Sequence, residues 1–201
     1  SKTGSLALAE SKSNPHSCWA RNSRRILEKL NVSCAWREGT AITERWPLII
    51  DPDNLSALYT SDGGVLFARR IVTDWADHLS ANGTDLRTHT RVQNINSEER
   101  SVNLANGERL TGDALVVAAG PWINGLVPEL ATRLIPSRQV VAYLDPPEEL
   151  KSLWENSPAI IDVDRADGFY LVPPGSGLKM KIADHSFSRM GNPNERSIAA
   201  G

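Results

Sequence analysis

A run of five apolar residues near the middle of the chain, Leu115-Val116-Val117-Ala118-Ala119, most limits the fold that this sequence can adopt. A strand with one face in solvent alternates polar and apolar residues, whereas an uninterrupted run favours a strand buried on both faces. We therefore expect a strand over 113–119 in a parallel sheet covered by helices, which indicates an α/β protein. The apolar stretch that contains it, Ala114–Ala119, is far shorter than the roughly 20 residues that cross a bilayer, so no membrane-spanning helix is predicted.

Charge and cysteine content exclude several classes of protein. Lys and Arg total 22 against 24 Asp and Glu, a net charge of −2, which argues against binding to nucleic acid or to a membrane surface. The first residues lack a secretory signal, so a cytoplasmic protein is expected. Cys18 and Cys34 form no Cys-x-x-Cys and are predicted to be free, partly buried thiols. His16, His78 and His89 fit no metal-ligand spacing, and no metal site is predicted.

Apolar periodicity predicts the helices. They are expected over 17–30, over 40–45, over about 68–80 and over about 147–154, with a short one after Trp122. Asn82-Gly83 supplies the left-handed stop for the third of these helices. Gly63-Gly64 precedes that helix but follows no buried strand, so it is interpreted as a helix entry and not as a phosphate-binding loop.

Several short runs predict strands in addition to 113–119. Asn106-Gly107 between two such runs is a strong hairpin signal, because both central positions of the favoured turn need positive φ. The whole order of elements indicates α/β with an α+β appendage. The additional strands are expected over 5–9, 85–90, 92–96, 101–104, 108–110, 138–144, 159–163, 169–172 and 178–185.

The last two of these strands flank a turn rich in Pro and Gly and form the most informative pair. A hairpin centred between Gly175 and Ser176 would set Tyr170 about opposite Lys181. Because side chains alternate along a strand, Lys181 and His185 share one face with Lys179 and Ala183. Taken alone, this polar face favours a solvated sheet surface over a functional site.

Five segments in order and spacing resemble the FAD-dependent amine oxidase family that includes monomeric sarcosine oxidase and glycine oxidase, within the D-amino acid oxidase superfamily. The resemblance covers about residues 3 to 190. The five segments are Ser61-Asp62-Gly63-Gly64-Val65-Leu66-Phe67, Thr88-His89-Thr90-Arg91-Val92, Ala118-Ala119-Gly120-Pro121-Trp122, Arg138-Gln139-Val140-Val141 and Gly177-Leu178-Lys179-Met180-Lys181.

The resemblance implies that the chain is the central fragment of a longer flavoenzyme. The family's Gly-x-Gly-x-x-Gly cradle for the FAD pyrophosphate is absent, and so is its C-terminal clamp for the substrate carboxylate. Residues 64–125 would then be pieces of a Rossmann-like FAD domain. Residues 1–60 and 130–190 would form a mostly antiparallel substrate-domain sheet with flanking helices, and 191–201 a loop. The fragment alone would bind FAD weakly or not at all and would be inactive.

By the same resemblance, Lys181, His185 and Tyr170 would be the catalytic residues. Lys181 would face the flavin and assist its reaction with dioxygen, since a fixed cation stabilises developing negative charge. His185 would orient or polarise the bound amine, and Tyr170 would contribute a hydroxyl and an aromatic wall.

The cofactor-binding residues implied are Val92, Ala119, Gly120 and Trp122. The residue matching Val92 holds the adenine through its main chain, and the loop matching 119–122 passes near FAD. A small residue followed by Gly at the end of a strand lets the backbone approach a ligand. Two structural interpretations stay open, namely that Gly120 makes a tight turn and that Val92 is an ordinary core residue.

The implied reaction is oxidation of the C–N bond of a small amino acid or secondary amine, with electrons passing to FAD and then to dioxygen. Two alternatives remain. One is a dehydrogenase of the same fold that acts on a hydroxy acid or polyol phosphate. The other is a non-catalytic module that lacks the cofactor domain.

Overall fold

The computed structural model describes residues 3–10, 18–50, 53–165, 168–185 and 189–195. His16 and the last residues of the predicted C-terminal loop, 196–201, lie outside the described residues. The chain forms two compact units. Unit 1 comprises residues 1–67 and 139–187, and unit 2 comprises residues 68–138 and 188–201.

The described residues contain both helices and strands. The strands are β1 (Ser5–Glu10), β2 (Ala35–Glu38), β3 (Leu55–Thr60), β4 (Val92–Asn96), β5 (Ser101–Leu104), β6 (Arg109–Thr111), β7 (Val141–Leu144), β8 (Ala159–Asp162), β9 (Phe169–Val172) and β10 (Met180–Asp184). The α-helices are α1 (Trp19–Lys29), α2 (Thr40–Arg45), α3 (Ala68–Ala81), α4 (Ile123–Leu126) and α5 (Glu148–Glu155).

Unit 1 is built on a seven-stranded sheet in the order β2-β3-β1-β8-β9-β10-β7. β1 and β8 are parallel, and the other neighbouring strands are antiparallel. The mostly antiparallel sheet predicted from the sequence is confirmed. β2 and β3 were not predicted, because neither has a turn signal of the Asn-Gly kind beside it, and β2 has only four residues.

β1 is an interior strand of this sheet, between β3 and β8, and is covered on both faces. Leu6 and Leu8 pack with Ile42 of α2, while Ala7 and Ala9 pack on the other face with Ala20 of α1. Full burial of a leucine contributes about 1.5–3 kcal/mol. The apolar run at the start of the chain therefore fixes two layers of helix against the sheet.

The α1 side of the sheet is covered unevenly. Helix α1 packs over β1 and β3, near Ala7, Ala9 and Leu58. On β9 and β10, the opposite face carries the core residues Leu171 and Met180. The alternate positions of β9 and β10 therefore face the α1 side of the sheet, beyond the strands that α1 covers.

The apolar periodicity that predicts α1 matches only part of what the structure buries on this helix. Leu27 packs into the core, but Trp19, Ile26 and Leu30 are exposed, because the small residue Ala20 makes the close contact with the sheet. Cys18 and Cys34 are free, with Cys18 buried, as predicted. No helix within the described residues is long and apolar enough to cross a membrane.

Unit 2 contains the three-stranded antiparallel sheet β4-β5-β6 and helix α3. The hairpin at Asn106-Gly107 is confirmed, but the predicted turn with positive φ at both positions is wrong, because Gly107 has φ +89° and Asn106 does not have a positive φ. The Gly107 N–H donates to the Leu104 carbonyl. The stop of α3 is also confirmed, because Gly83 has φ +85° and the Thr84 N–H donates to the Leu79 carbonyl.

Two predicted strands of unit 2 are wrong in this structure. Neither 85–90 nor 113–119 forms a strand, and Val116 is 85% exposed. A strand exists only through hydrogen bonds to a neighbour, and no described strand pairs with either segment. The apolar face predicted for α3 is likewise uncovered, since Val72 and Trp75 are exposed.

Gly63 has a packing role in unit 1. A Cβ at this position would overlap the Ser5 side chain and approach the Ser5 backbone nitrogen to 2.9 Å. Gly63 therefore allows the chain to pass close to β1, and its lack of a side chain is explained without a phosphate ligand. The expectation that no buried strand precedes Gly63-Gly64 is wrong, because β3 ends at Thr60 and its residues 56–58 are buried. The pair does not enter a helix directly either, since α3 begins only at Ala68.

Candidate functional site

The predicted site residues fall into two groups, one in each unit. Lys181, His185 and Tyr170 lie in unit 1, at or next to β9 and β10. The predicted cofactor residues lie in unit 2, at the start of β4 and around the 3-10 turn Gly120–Trp122.

The pairing of β9 with β10 differs by two residues from the predicted register. Tyr170 lies opposite Ala183, and Lys181 lies opposite Val172. The turn is centred on Ser176 and Gly177, with φ +53° and +78°, and not on Gly175 and Ser176. Because a two-residue offset preserves the strand alternation, Tyr170 and Lys181 still share one face. They are now diagonal neighbours instead of direct cross-strand partners.

The three predicted catalytic side chains contact one another through the Tyr170 ring. The Lys181 Nζ is 5.0 Å from the centroid of that ring. The His185 ring lies edge-on to it, with the two centroids 6.4 Å apart at an interplanar angle of 83°. The His185 main-chain N–H donates to the Gly168 carbonyl at 2.7 Å, which fixes the residue at the end of β10. Tyr170 therefore joins the lysine and the histidine.

The two lysines on this face have different electrostatic surroundings. Lys179 forms an ion pair with Asp145 at 2.6 Å. No carboxylate in the described ranges lies within ion-pair distance of Lys181, which instead contacts an aromatic face. Among the described residues, no carboxylate neutralises the charge of Lys181. A residue that stabilises negative charge on another molecule needs such an unneutralised charge.

Two further residues of this face were not singled out from the sequence. Ala183 lies between Lys181 and His185 and is 4% exposed. Tyr143 of β7 lies opposite Lys181 in the register and is 64% exposed. The alternation within Val141–Leu144 places Tyr143 on a face, but only the strand order reveals that β7 is the neighbour of β10.

Three of the four predicted cofactor residues line one cavity of unit 2. This cavity has a volume of about 880 Å³ and includes Val92, Ala119 and Trp122 in its lining. Trp122 presents its ring there, because its indole N–H donates to the Asn194 side chain at 3.1 Å. The sequence order alone does not bring β4 and the 119–122 turn together.

The main chain of Val92 lies at the edge of the unit 2 sheet. β4 is an edge strand, and the Arg91 carbonyl accepts a hydrogen bond from the Ala105 N–H across the β4–β5 pair. Main-chain groups of successive residues in an antiparallel strand point alternately toward and away from the neighbouring strand. The N–H and C=O of Val92 therefore point outward from the sheet, where a ligand can pair with them.

Gly120 does not line the cavity, although both of its chain neighbours do. Its φ is +54°, in the left-handed region that favours glycine, and a Cβ built there would meet no atom within 4 Å. Within the described chain, glycine is thus needed for the turn and not for a close contact.

Asn124 is a cavity residue that was not singled out from the sequence. Its Nδ2 donates to the Leu134 carbonyl at 2.8 Å, while its Oδ1 is buried and has no hydrogen-bond partner among the described residues. A buried acceptor without a partner is costly, so this oxygen raises the free energy of the described structure unless a donor pairs with it.

Unit 1 has another cavity, of about 620 Å³, on the opposite side of the sheet. Phe169, Leu171 and Trp154 line it, and none of the predicted site residues does. It belongs to the apolar core face and is separate from the Tyr170 group.

Comparison with known proteins identifies the family. The family model described as FAD dependent oxidoreductase matches residues 1–199. The chain belongs to this family.

Characterised relatives are oxidases. The chain is 32% identical over 162 residues to monomeric sarcosine oxidase of Bacillus sp. (strain B-0618), covering 78% of this chain and 41% of that protein. It is 26% identical over 172 residues to N-methyl-L-tryptophan oxidase of Salmonella arizonae, covering 85% of this chain and 45% of that protein. The chain therefore spans less than half the length of these relatives.

A solved structure confirms the mixed α/β fold class. The modified fructosyl peptide oxidase of Aspergillus nidulans superimposes with a TM-score of 0.71 at 19% identity, over 94% of this chain and 46% of that one. FAD is the cofactor of the family to which the chain belongs.

Proposed function

We propose that this chain is the central part of an FAD-dependent oxidase that acts on the C–N bond of a small amino acid or secondary amine. The observation that carries the proposal is the contact of Lys181 and His185 with the Tyr170 ring on one face of the unit 1 sheet. The similarity to sarcosine oxidase and N-methyl-L-tryptophan oxidase supports the choice of an amine as substrate.

The bound FAD would accept two electrons from the substrate carbon and nitrogen and deliver them to dioxygen, giving an imine product and hydrogen peroxide. Lys181 would supply a positive charge close to the dioxygen while negative charge develops on it. A fixed cation needs no reorganisation during the reaction, so it stabilises that charge more effectively than solvent does.

His185 and Tyr170 would bind and orient the amine. The edge-on contact with Tyr170 and the hydrogen bond from the His185 main chain hold the imidazole in one place. An oriented imidazole can accept a hydrogen bond from an amine N–H or donate one to the amine nitrogen. Tyr170 provides an apolar wall that excludes water and a hydroxyl group for a polar contact.

Residues of unit 2 would form part of the FAD-binding site. The outward main chain of Val92 supplies hydrogen-bonding groups at the same cavity as the Trp122 ring. An aromatic wall with a few polar groups is typical of cofactor sites. We propose that the rest of the longer protein supplies the pyrophosphate cradle and the clamp for the substrate carboxylate.

Peroxide release from the full-length protein tests this function. The purified flavoprotein should produce hydrogen peroxide in proportion to oxygen consumed when supplied with glycine, with sarcosine or with another N-methyl amino acid. Reduction of the flavin by a hydroxy acid or polyol phosphate, with electrons passing only to a dye or quinone, would instead favour the dehydrogenase. A full-length protein without bound FAD would favour the non-catalytic module.

Location in the cytoplasm is a further part of the proposal. Cell fractionation of the source organism, followed by immunoblotting, would test it. Recovery with a cytoplasmic marker enzyme is expected, and recovery in another fraction would contradict it.

A further inference from the structure

Ala183 occupies the centre of the Tyr170 group. Tyr170 of β9 and Val141 of β7 are its cross-strand partners. Lys181 and His185 are its same-face neighbours along the chain, two residues away on either side. Ala183 is 4% exposed, so the side chains around it cover it almost completely.

The Tyr170 ring reaches across the position of Ala183. Residues 181 and 185 are four positions apart, which is roughly 13 Å along an extended chain. One ring nevertheless contacts both side chains, with 5.0 Å from its centroid to the Lys181 Nζ and 6.4 Å to the His185 ring centroid. A ring in this position lies over the residue between them, and only a small side chain leaves room for it.

We propose that Ala183 is a positioning residue, whose small side chain leaves the space that the Tyr170 ring occupies between Lys181 and His185. The inference rests on the proposed function and adds a steric requirement to it. A larger side chain at 183 would occupy the space of the ring, and close-packed protein interiors do not absorb such an addition without moving a neighbour. Lys181 and His185 would then lose their shared aromatic contact.

The test uses the full-length flavoprotein with all rates normalised to bound FAD. Ala183→Val should lower the rate constants for amine oxidation and for the reaction with dioxygen by about tenfold. Ala183→Gly, which keeps the room for the ring, should stay within about twofold of wild type. A residue with a merely structural role would change the amount of flavoprotein recovered but not the rate constants per FAD.

A matched control adds the same two methyl groups elsewhere. Ala142→Val is on the neighbouring strand β7, and Ala142 is exposed and on the opposite face, where it pairs with Ile182. This variant should behave as wild type. Equal losses in Ala142→Val and Ala183→Val would overturn the proposal.

A double-mutant cycle identifies the route of the effect. If the larger side chain at position 183 acts by displacing the ring, adding Ala183→Val to Tyr170→Ala should lower the rates by less than about twofold further. A full additional tenfold loss would show that the ring is not involved and would refute the proposed role of Ala183. If Ala183→Val fails to fold, Ala183→Ser, which adds one hydroxyl group, should show a smaller effect in the same direction with the same dependence on Tyr170.

The free energies of unfolding of the same variants separate this inference from the proposed function. Coupling between positions 183 and 170 in urea unfolding is expected whether or not the protein oxidises amines. Coupling between the two positions in a protein without any oxidase activity would support the proposed role of Ala183 and reject the proposed function. Absence of coupling in both the free energies of unfolding and the rate constants would reject the proposed role of Ala183.

Discussion

Neighbouring residues with similar side chains differ in what they can do because their partners differ. Lys179 and Lys181 share a face, yet Lys179 pairs with Asp145 while Lys181 contacts the Tyr170 ring. Composition and alternation predicted the shared face but not this difference. The partner Asp145 lies 34 positions earlier in the chain, and the strand order that brings it near is not a local property.

The sequence left two interpretations of Gly120 open, and a pair of substitutions separates them. Gly120→Ala should destabilise the protein by about 1–2 kcal/mol, because an alanine in the left-handed region places its Cβ too close to a carbonyl oxygen. Gly120→Asn should cost less, since asparagine tolerates that conformation. Urea unfolding of the full-length protein measures both values.

The affinity for FAD completes the comparison. If Gly120 serves only the turn, Gly120→Asn should bind FAD as wild type does. A large loss of FAD affinity in Gly120→Asn with unchanged stability would show instead that the backbone must approach the cofactor closely.

Elements that are specified locally were predicted well, and elements that depend on distant partners were not. Helix α2 has the predicted bounds because Trp46-Pro47 prevents its continuation. The apolar run Leu115–Ala119 is the clearest failure, because its composition predicts burial but cannot supply a neighbouring strand. The same limitation applies to the exposed apolar side of α3, which includes Trp75.

The edge strand β2 allows a test at the level of one element. Glu38 on this strand accepts hydrogen bonds from the Trp36 indole at 2.7 Å and from the Ser56 hydroxyl of β3 at 3.3 Å. The bond from Trp36 is the largest cause that holds the pKa of Glu38 below its ordinary value, with Ser56, Arg21 and Arg24 acting in the same direction. Burial opposes this shift.

We predict that Trp36→Phe raises the pKa of Glu38 toward its ordinary value. A carboxyl with a lowered folded-state pKa stabilises the fold above its unfolded-state pKa, and this contribution is lost as the pH falls through the folded-state value. Carbon-13 NMR titration of the Glu38 carboxyl gives the pKa directly. Trp19→Phe on α1 is the matched control and should leave it unchanged, and an unshifted pKa in Trp36→Phe would contradict the assignment.

At the level of the whole molecule, the length of the match and one missing motif support the proposal that this chain is part of a longer flavoenzyme. The chain spans 41% of the sarcosine oxidase that it resembles, and no Gly-x-Gly-x-x-Gly turn occurs in its sequence. Backbone N–H groups at a helix start are the usual means of binding the pyrophosphate of a dinucleotide. The cavity at Val92 and Trp122 would then contribute only a fraction of the binding energy.

The isolated 201-residue chain should therefore bind FAD poorly. Purification in the presence of excess FAD, followed by gel filtration, should yield protein with little visible flavin absorbance, on the order of a tenth of a flavin per chain or less. The full-length protein, purified in parallel, should retain its flavin. Near-stoichiometric FAD in the isolated chain would show that the described residues suffice.

We propose that the charge of Lys181, which no described carboxylate pairs with, promotes reaction with dioxygen. Stopped-flow mixing of the reduced full-length enzyme with oxygen measures this step separately from amine oxidation. Lys181→Met should slow it by about 10²–10³-fold, the cost of removing one preorganised charge-stabilising group, while Lys179→Met on the same face stays near wild type. Equal oxygen rate constants in wild type and Lys181→Met would contradict the account.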